Sequence, residues 1–296
     1  MATLRDLKGR IGSVGSSEKI TGAMKMISSA KMHKAEMAIR RLLPFRTQLE
    51  SIMGNLLAAD AEFVSPLTVA REVRTVGIVV LGSDDGLCGA YNANIFKHLV
   101  AHIDGLRAAD TSGQSRFVIM PVGAKMLKAV SRLSAAGDVT VDVPAGLSSK
   151  SGADDVKAFV ARLSDSFLDG TLDRVDFVYM NYRSVSRQTL RAEQLLPVLP
   201  QNFVKAGDGA AASKLYIFEP DAASVFRSVL PLMLMSSVQE IFCENRASEQ
   251  AARVMAMQSA NDNAKKLLDQ LQLEYNKLRQ QSITAELLDI IGGQVG

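Results

Sequence analysis

Hydrophobic positions step by three and four through both ends of the chain and by strand-like runs through its middle. Leu4, Leu7, Ile11 and Val14 follow the heptad spacing of a two-stranded coil. The same frame passes over Glu18, Thr21, Lys25 and Ser28, then returns to apolar residues at Met32, Ala35, Ile39, Leu42, Leu49, Met53 and Leu56. Across that polar interval Ile20, Met24 and Ile27 form a second apolar line, so residues 18–34 are expected to touch something besides a partner helix. One proline, Pro44, falls between Leu4 and Leu57, and it is expected to bend or interrupt the helix. Ala222 to Ile291 again holds a single proline, Pro231, and the line Ala260, Ala264, Leu267, Leu271, Tyr275 and Leu278 offers an antiparallel partner for the first seam. At about 1.5 Å per residue these helices would span roughly 80 and 100 Å, too long for a small globule. They are expected to pair as a rod with a mechanical or scaffolding role. Beyond Arg279 the helix turns apolar nearly all round, with Ile283, Leu287, Leu288, Ile290 and Ile291, a tip that calls for an enclosing partner.

Between these helices, residues 59–72 read as a linker broken by Ser65 and Pro66. Strands are expected over Val73–Leu81, Phe117–Val122, Val139–Val143 and Val175–Asn181. They alternate with helices over Tyr91–Ile103, Ala124–Leu133 and Asp154–Leu168, where Asp154 and Asp155 suit the positive helix end. This alternation predicts a Rossmann-like α/β domain with a mostly parallel sheet. Leu190–Leu199 reads as an edge strand, 206–213 as a loop and Leu215–Phe218 as a short strand before a last helix starting at Pro220. Three segments result: an N-terminal shaft helix over 1–58, a central α/β domain over 73–219 and a C-terminal shaft helix over 220–296.

With 47% hydrophobic residues the chain of 296 has a core, and thirteen Met with no Trp suit helix seams better than an aromatic-lined pocket. Net charge is +3, yet residues 1–50 carry ten Lys/Arg against four acids. Cys88 and Cys243 stand apart, which argues for a reducing compartment and against a disulfide framework or zinc site. No apolar run near 18 residues or signal-like start is evident, so no direct membrane span is expected. His33, His98 and His102 support no triad or metal cage, and the i,i+4 pair His98/His102 reads as solvated.

Gly82, Gly86 and Gly89 lie between a strand and a helix, but GxxxGxxG is neither the dinucleotide fingerprint nor a Walker loop, and Asp84 and Asp85 oppose a phosphate. A tight strand-to-helix crossing explains the glycines more simply. Lys19, Lys25, Lys31 and Lys34 form the most basic face. Without interleaved aromatics it fits an acidic protein surface better than nucleic acid.

The segments IGSVGSSEKITGAMKMISSAKM (11–32), SDDGLCGAYN (83–92), ENRASEQAARVMAM (244–257) and LEYNKLRQQSITAELLDIIGG (273–293) together resemble the γ subunit of the F-type ATP synthase over the whole chain. The resemblance implies a non-catalytic central rotor shaft that holds no cofactor or metal, couples proton flow to ATP synthesis or hydrolysis and regulates ATPase activity. It implies α and β subunits of a hexamer, an ε subunit and the membrane c-ring as partners. Ile20, Met24, Lys25, Lys31, Glu249, Arg253, Gln280 and Thr284 would meet β subunits. Ile283, Leu287, Leu288, Ile290 and Ile291 would turn in an apolar sleeve, and Tyr216, Phe218 and Glu219 would meet the ring and ε. Gly292-Gly293 stands where the family commonly has Gly-Ala, and no cysteine pair near 190–210 suggests the dithiol switch of plant chloroplast members. The implied place is the cytoplasmic face of a bacterial inner membrane, as a peripheral part of the complex. The alternatives from the residues alone are a nucleotide-binding α/β enzyme with a coiled-coil recognition arm and a nucleic-acid scaffold.

Overall fold

A computed structural model describes residues 3–58, 65–110, 113–133, 137–199 and 218–293. The elements are α1 (Leu4–Ala58), β1 (Thr75–Leu81), α2 (Tyr91–Ala109), β2 (Arg116–Val122), α3 (Ala124–Val130), β3 (Val139–Val141), α4 (Ala153–Leu168), β4 (Arg174–Tyr182), β5 (Gln188–Leu196) and α5 (Ala222–Gly293). The chain divides into two compact units, Met1–Ala30 with Arg253–Gly296, and Lys31–Ala252. Both long helices run through both units.

In the first unit α1 and α5 form an antiparallel coil. A capping box starts α1: Thr3 Oγ1 accepts from Asp6 N–H at 3.2 Å, and Asp6 Oδ2 accepts from Thr3 N–H at 3.0 Å. The α1 frame keeps its burial through the polar interval, with Leu7 and Ser28 buried and Ile11, Val14, Glu18, Thr21 and Lys25 half-buried. Hydrogen bonding replaces apolar packing there. Asn261 Nδ2 donates to the Glu18 carbonyl at 2.6 Å and to Thr21 Oγ1 at 3.3 Å. A Cβ on Gly22 would stand 3.4 Å from Asn261 Nδ2, and one on Gly15 would stand 3.8 Å from Leu268 Cδ1.

The α5 seam is therefore Met257, Asn261, Ala264, Leu268, Leu271, Tyr275, Leu278 and Ser282, all buried or half-buried. This corrects the expected line in part: Asn261 and Leu268 hold the places given to Ala260 and Leu267, and Leu267 is 45% exposed. Adjacent leucines make two faces equally apolar in sequence. Across the coil Leu268 faces Gly15, where an added Cβ would stand at ordinary contact distance.

In the second unit the sheet order is β3-β2-β1-β4-β5. Its first four strands pair in parallel, and β5 is an antiparallel edge strand on β4. Alternate residues serve opposite faces. Ile78 and Val80 join Ile95, Leu99 and Ile103 of α2, with Met126 of α3, while Val79 and Leu81 join Phe159, Leu163 and Phe167 of α4. The second face also receives Leu49, Met53 and Leu56 of α1, and Phe226, Leu230, Leu234, Val238 and Phe242 of α5.

Several boundaries differ from expectation. α1 continues through Pro44 without interruption. Pro44 is exposed, so the carbonyl it leaves unpaired can face water, and packed residues flank it at Ala35 and Leu49. α2 runs two turns past Ile103 and α3 ends early at Val130. α5 starts at Ala222, where Asp221 Oδ1 accepts from Ser224 N–H at 2.8 Å. α5 also contains an 18-residue window with mean hydropathy of 1.2, enough by composition to cross a membrane, and 44% of that window is buried within the chain. The expected loop at 206–213 and most of the strand at Leu215–Phe218 lie outside the described residues.

Candidate functional site: the crevice at the sheet switch point

In a doubly wound sheet ligands bind outside the carboxyl ends of the strands where the winding reverses, here between β1 and β4. The chain fills this crevice with its own α5. Asn245, 2% exposed, accepts at Oδ1 from Tyr91 Oη at 2.7 Å and from Met180 N–H at 3.3 Å, and its Nδ2 donates to the Gly82 carbonyl at 3.4 Å. One side chain thus ties α5 to the end of β1, the end of β4 and the first turn of α2. Ser248 Oγ donates to the Met180 carbonyl at 3.0 Å. Asn181 Nδ2 donates to Glu244 Oε2 at 2.6 Å, and burial pushes that carboxyl above its ordinary range. Arg246 donates through Nε to the Ser149 carbonyl at 3.0 Å and through its terminal nitrogen to the Ser151 carbonyl at 2.9 Å.

The glycine-bearing turn after β1 is likewise occupied from within. Asp84 accepts from Ala124 N–H at 3.0 Å, Ser149 N–H at 3.1 Å and Ser149 Oγ at 2.8 Å, so a carboxylate stands where a bound anion would meet those donors. Asp85 pairs with Lys150 Nζ at 2.9 Å. A Cβ on Gly82 would come within 2.6 Å of Met126 Cβ, which accounts for that glycine by packing. Asn92 holds the turn from the other side, accepting from Ser83 N–H at 3.0 Å and donating to Ser83 Oγ at 2.7 Å. Sequence reading picked out the SDDGLCG and ENRASEQ segments but not this joint role. The usable signal was a run of amide, hydroxyl and guanidinium side chains in the middle of a long apolar helix.

The expected contact residues are dispersed. In the coil unit Ile20 is 59% exposed, while Met24 and Lys25 are half-buried. Gln280 and Thr284 are exposed, with Thr284 Oγ1 donating to the Gln280 carbonyl at 2.9 Å. Arg253 is buried. The tip residues Ile283, Leu287, Leu288, Ile290 and Ile291 are all exposed, between 49% and 64%. The coil register that sets Gly15 beside Leu268 and Gly22 beside Asn261 puts Leu4 opposite Arg279, so the tip extends past the end of α1 by roughly 18 Å. In the sheet unit Lys31 and Glu219 are exposed, Phe218 packs half-buried on the core, and Glu249 is 2% exposed. Tyr216 lies outside the described residues.

The histidine reading is corrected. His102 Nε2 meets Oδ2 of the fully buried Asp176 at 2.8 Å, and Arg174 Nε meets Oδ1 of the same carboxylate at 2.8 Å. His98 Nε2 is buried without a hydrogen-bond partner, and burial lowers its pKa, with His102 adding to the shift. Among the described residues no group of His, Cys, Asp and Glu has metal-site geometry.

A coil of the terminal helices, and an α/β sheet whose ligand crevice is filled by one of those helices, define the class as a shaft protein. The family model of the ATP synthase matches residues 3–295. The ATP synthase gamma chain of Phocaeicola vulgatus is 41% identical and that of Bacteroides thetaiotaomicron 40%, each covering 100% of both chains. Among solved structures, an assembly of the Euglena gracilis mitochondrial ATP synthase with F1 and c-ring superposes with a TM-score of 0.63 at 21% identity, covering 99% of this chain and 93% of that one. The central stalk and c-ring of the Tetrahymena thermophila enzyme gives 0.54 at 20% identity, covering 81% and 99%. The chain belongs to the ATP synthase gamma chain family.

Proposed function

We propose that the chain is the central rotor shaft of an F-type ATP synthase, a non-catalytic subunit that turns within a hexamer of α and β subunits. The observation that carries this reading is the bare apolar tip, Ile283 to Ile291, extending beyond its partner helix. Left in water it would drive aggregation, and a ring of foreign apolar side chains removes that cost. Ile20, Met24, Lys25 and Lys31, with Gln280 and Thr284, present the β contacts. Glu249 and Arg253 contribute only the small part of their surface left uncovered. Phe218, Glu219 and Tyr216 are assigned to the ε subunit and the membrane ring, on the cytoplasmic face of a bacterial inner membrane.

An off-centre coil meets three identical β subunits with three different faces, and it biases their states by its differential contact energy alone. Proton flow supplies about 2.3 kcal/mol per charge per 100 mV, whereas an exposed ion pair contributes about 0–1 kcal/mol. No single lysine carries the load, so torque is spread over the bearing and the polar contacts.

Co-purification tests the reading: one copy is expected with three α and three β chains, and Leu287→Asp with Leu288→Asp is expected to abolish capture. A chain that never associates with the hexamer overturns it. Asn245 in the crevice and Asp84 in the turn weigh against the enzyme alternative, and the pure chain is expected to hydrolyse no ATP.

A further inference from the structure

We infer that turning force passes between the sheet and α5 through the clasp of Glu244, Asn245, Arg246 and Ser248, with Asn245 as its central positioning residue; the inference rests on the rotor reading. Within about one helical turn these four side chains reach Asn181, Tyr91, Met180, Gly82, Ser149 and Ser151. The partners surround α5 from the ends of β1 and β4, the start of α2 and the loop before α4, so rotation of α5 about its own axis must break several directional bonds at once. Lower on the helix, Phe226, Leu230, Leu234, Val238 and Phe242 contribute non-directional apolar contacts that hold α5 against the sheet without fixing its rotation.

Among the described hydrogen bonds helix α1 reaches β4 through Glu36. Tyr182 donates to Glu36, and Arg46 pairs with Glu240 of α5 and Glu50 of α1 rather than with a strand.

The test uses the assembled synthase in inverted membrane vesicles carrying Asn245→Leu with Arg246→Met, the milder Tyr91→Phe, and Val238→Ala as an apolar core control. ATP-driven proton pumping, ATP hydrolysis and sensitivity of hydrolysis to a carboxyl reagent that blocks the ring are read at equal amounts of complex. A slipping clasp lowers protons pumped per ATP severalfold in the double variant, and measurably in Tyr91→Phe. Hydrolysis then continues at more than half its rate with the ring blocked. Val238→Ala keeps the wild-type ratio. Unchanged pumping per ATP in the clasp variants overturns the proposal, as does an equal loss in Val238→Ala. Should the double variant fail to assemble, Tyr91→Phe decides alone. Failure of the unaltered chain to join the hexamer would sink the rotor reading instead, a separate result.

Discussion

Tyr91 Oη donates to Asn245 Oδ1 at 2.7 Å, a bond between the first turn of α2 and the middle of α5 made wholly inside the protein. Removing the phenol oxygen with Tyr91→Phe deletes the donor that Asn245 Oδ1 shares with its own backbone carbonyl, and leaves the Asn245 side chain paired with Met180 and Gly82. Its expected cost is about 1 kcal/mol. Asn245→Leu instead leaves that hydroxyl the backbone carbonyl of residue 245, at 3.0 Å, but strands the buried Met180 N–H and removes the donor to the Gly82 carbonyl, and is expected to cost more, on the order of 2–3 kcal/mol. Urea titration of the isolated chain separates the two, and equal midpoints would contradict the network as described.

The coil register gives a second contrast. Leu268→Ala opens a gap beside Gly15 and is expected to destabilise by about 1–2 kcal/mol, less than a fully buried leucine because Leu268 is half-buried. Leu267→Ala, on the exposed side, is expected to stay within about 0.5 kcal/mol. Thermal unfolding followed by helical circular dichroism checks the order, and a larger loss at Leu267 would restore the line expected from spacing.

Burial raises the pKa of Glu244 above its ordinary value near 4.5, with the Asn181 hydrogen bond opposing the shift. The folded chain then binds more protons than the unfolded one as pH rises through and above that ordinary value, so this residue's contribution falls with rising pH. Glu244→Gln keeps an acceptor for Asn181 and removes the charge. Its stability relative to the parent is expected to climb from acid toward neutral pH and then level. Parallel curves for the two proteins would rule out the shift.

Cys88 and Cys243 are both buried, and burial also raises the Cys243 pKa, against the opposing field of Arg246. Neither thiol is expected to react with iodoacetamide at neutral pH until the chain is unfolded. Rapid labelling of the native protein, read by intact mass, would show one of them to be reachable.

The sheet was legible because its strands are β-branched runs bounded by breakers, and all five were placed to within a few residues. The coil was half legible. The α1 frame predicted burial even across Glu18, Thr21, Lys25 and Ser28, but the α5 seam differs at Leu267 because two adjacent leucines give no preference and the neighbours that tell them apart lie on α1, far away in sequence. Pro44 does not interrupt the helix for a related reason: flanking packing, a tertiary effect, carries α1 past a local breaker. The clasp was the least visible feature. Asn245 and Ser248 have no local periodic role, and their partners at Gly82, Tyr91 and Met180 become neighbours only once the sheet is wound. His102 was misread likewise, since Asp176 reaches it from another element.

With Asn245 lodged between β1 and β4, cofactor chemistry and axle duty compete for one groove. A sheet wound this way could admit a nucleotide there only by letting go of its helix.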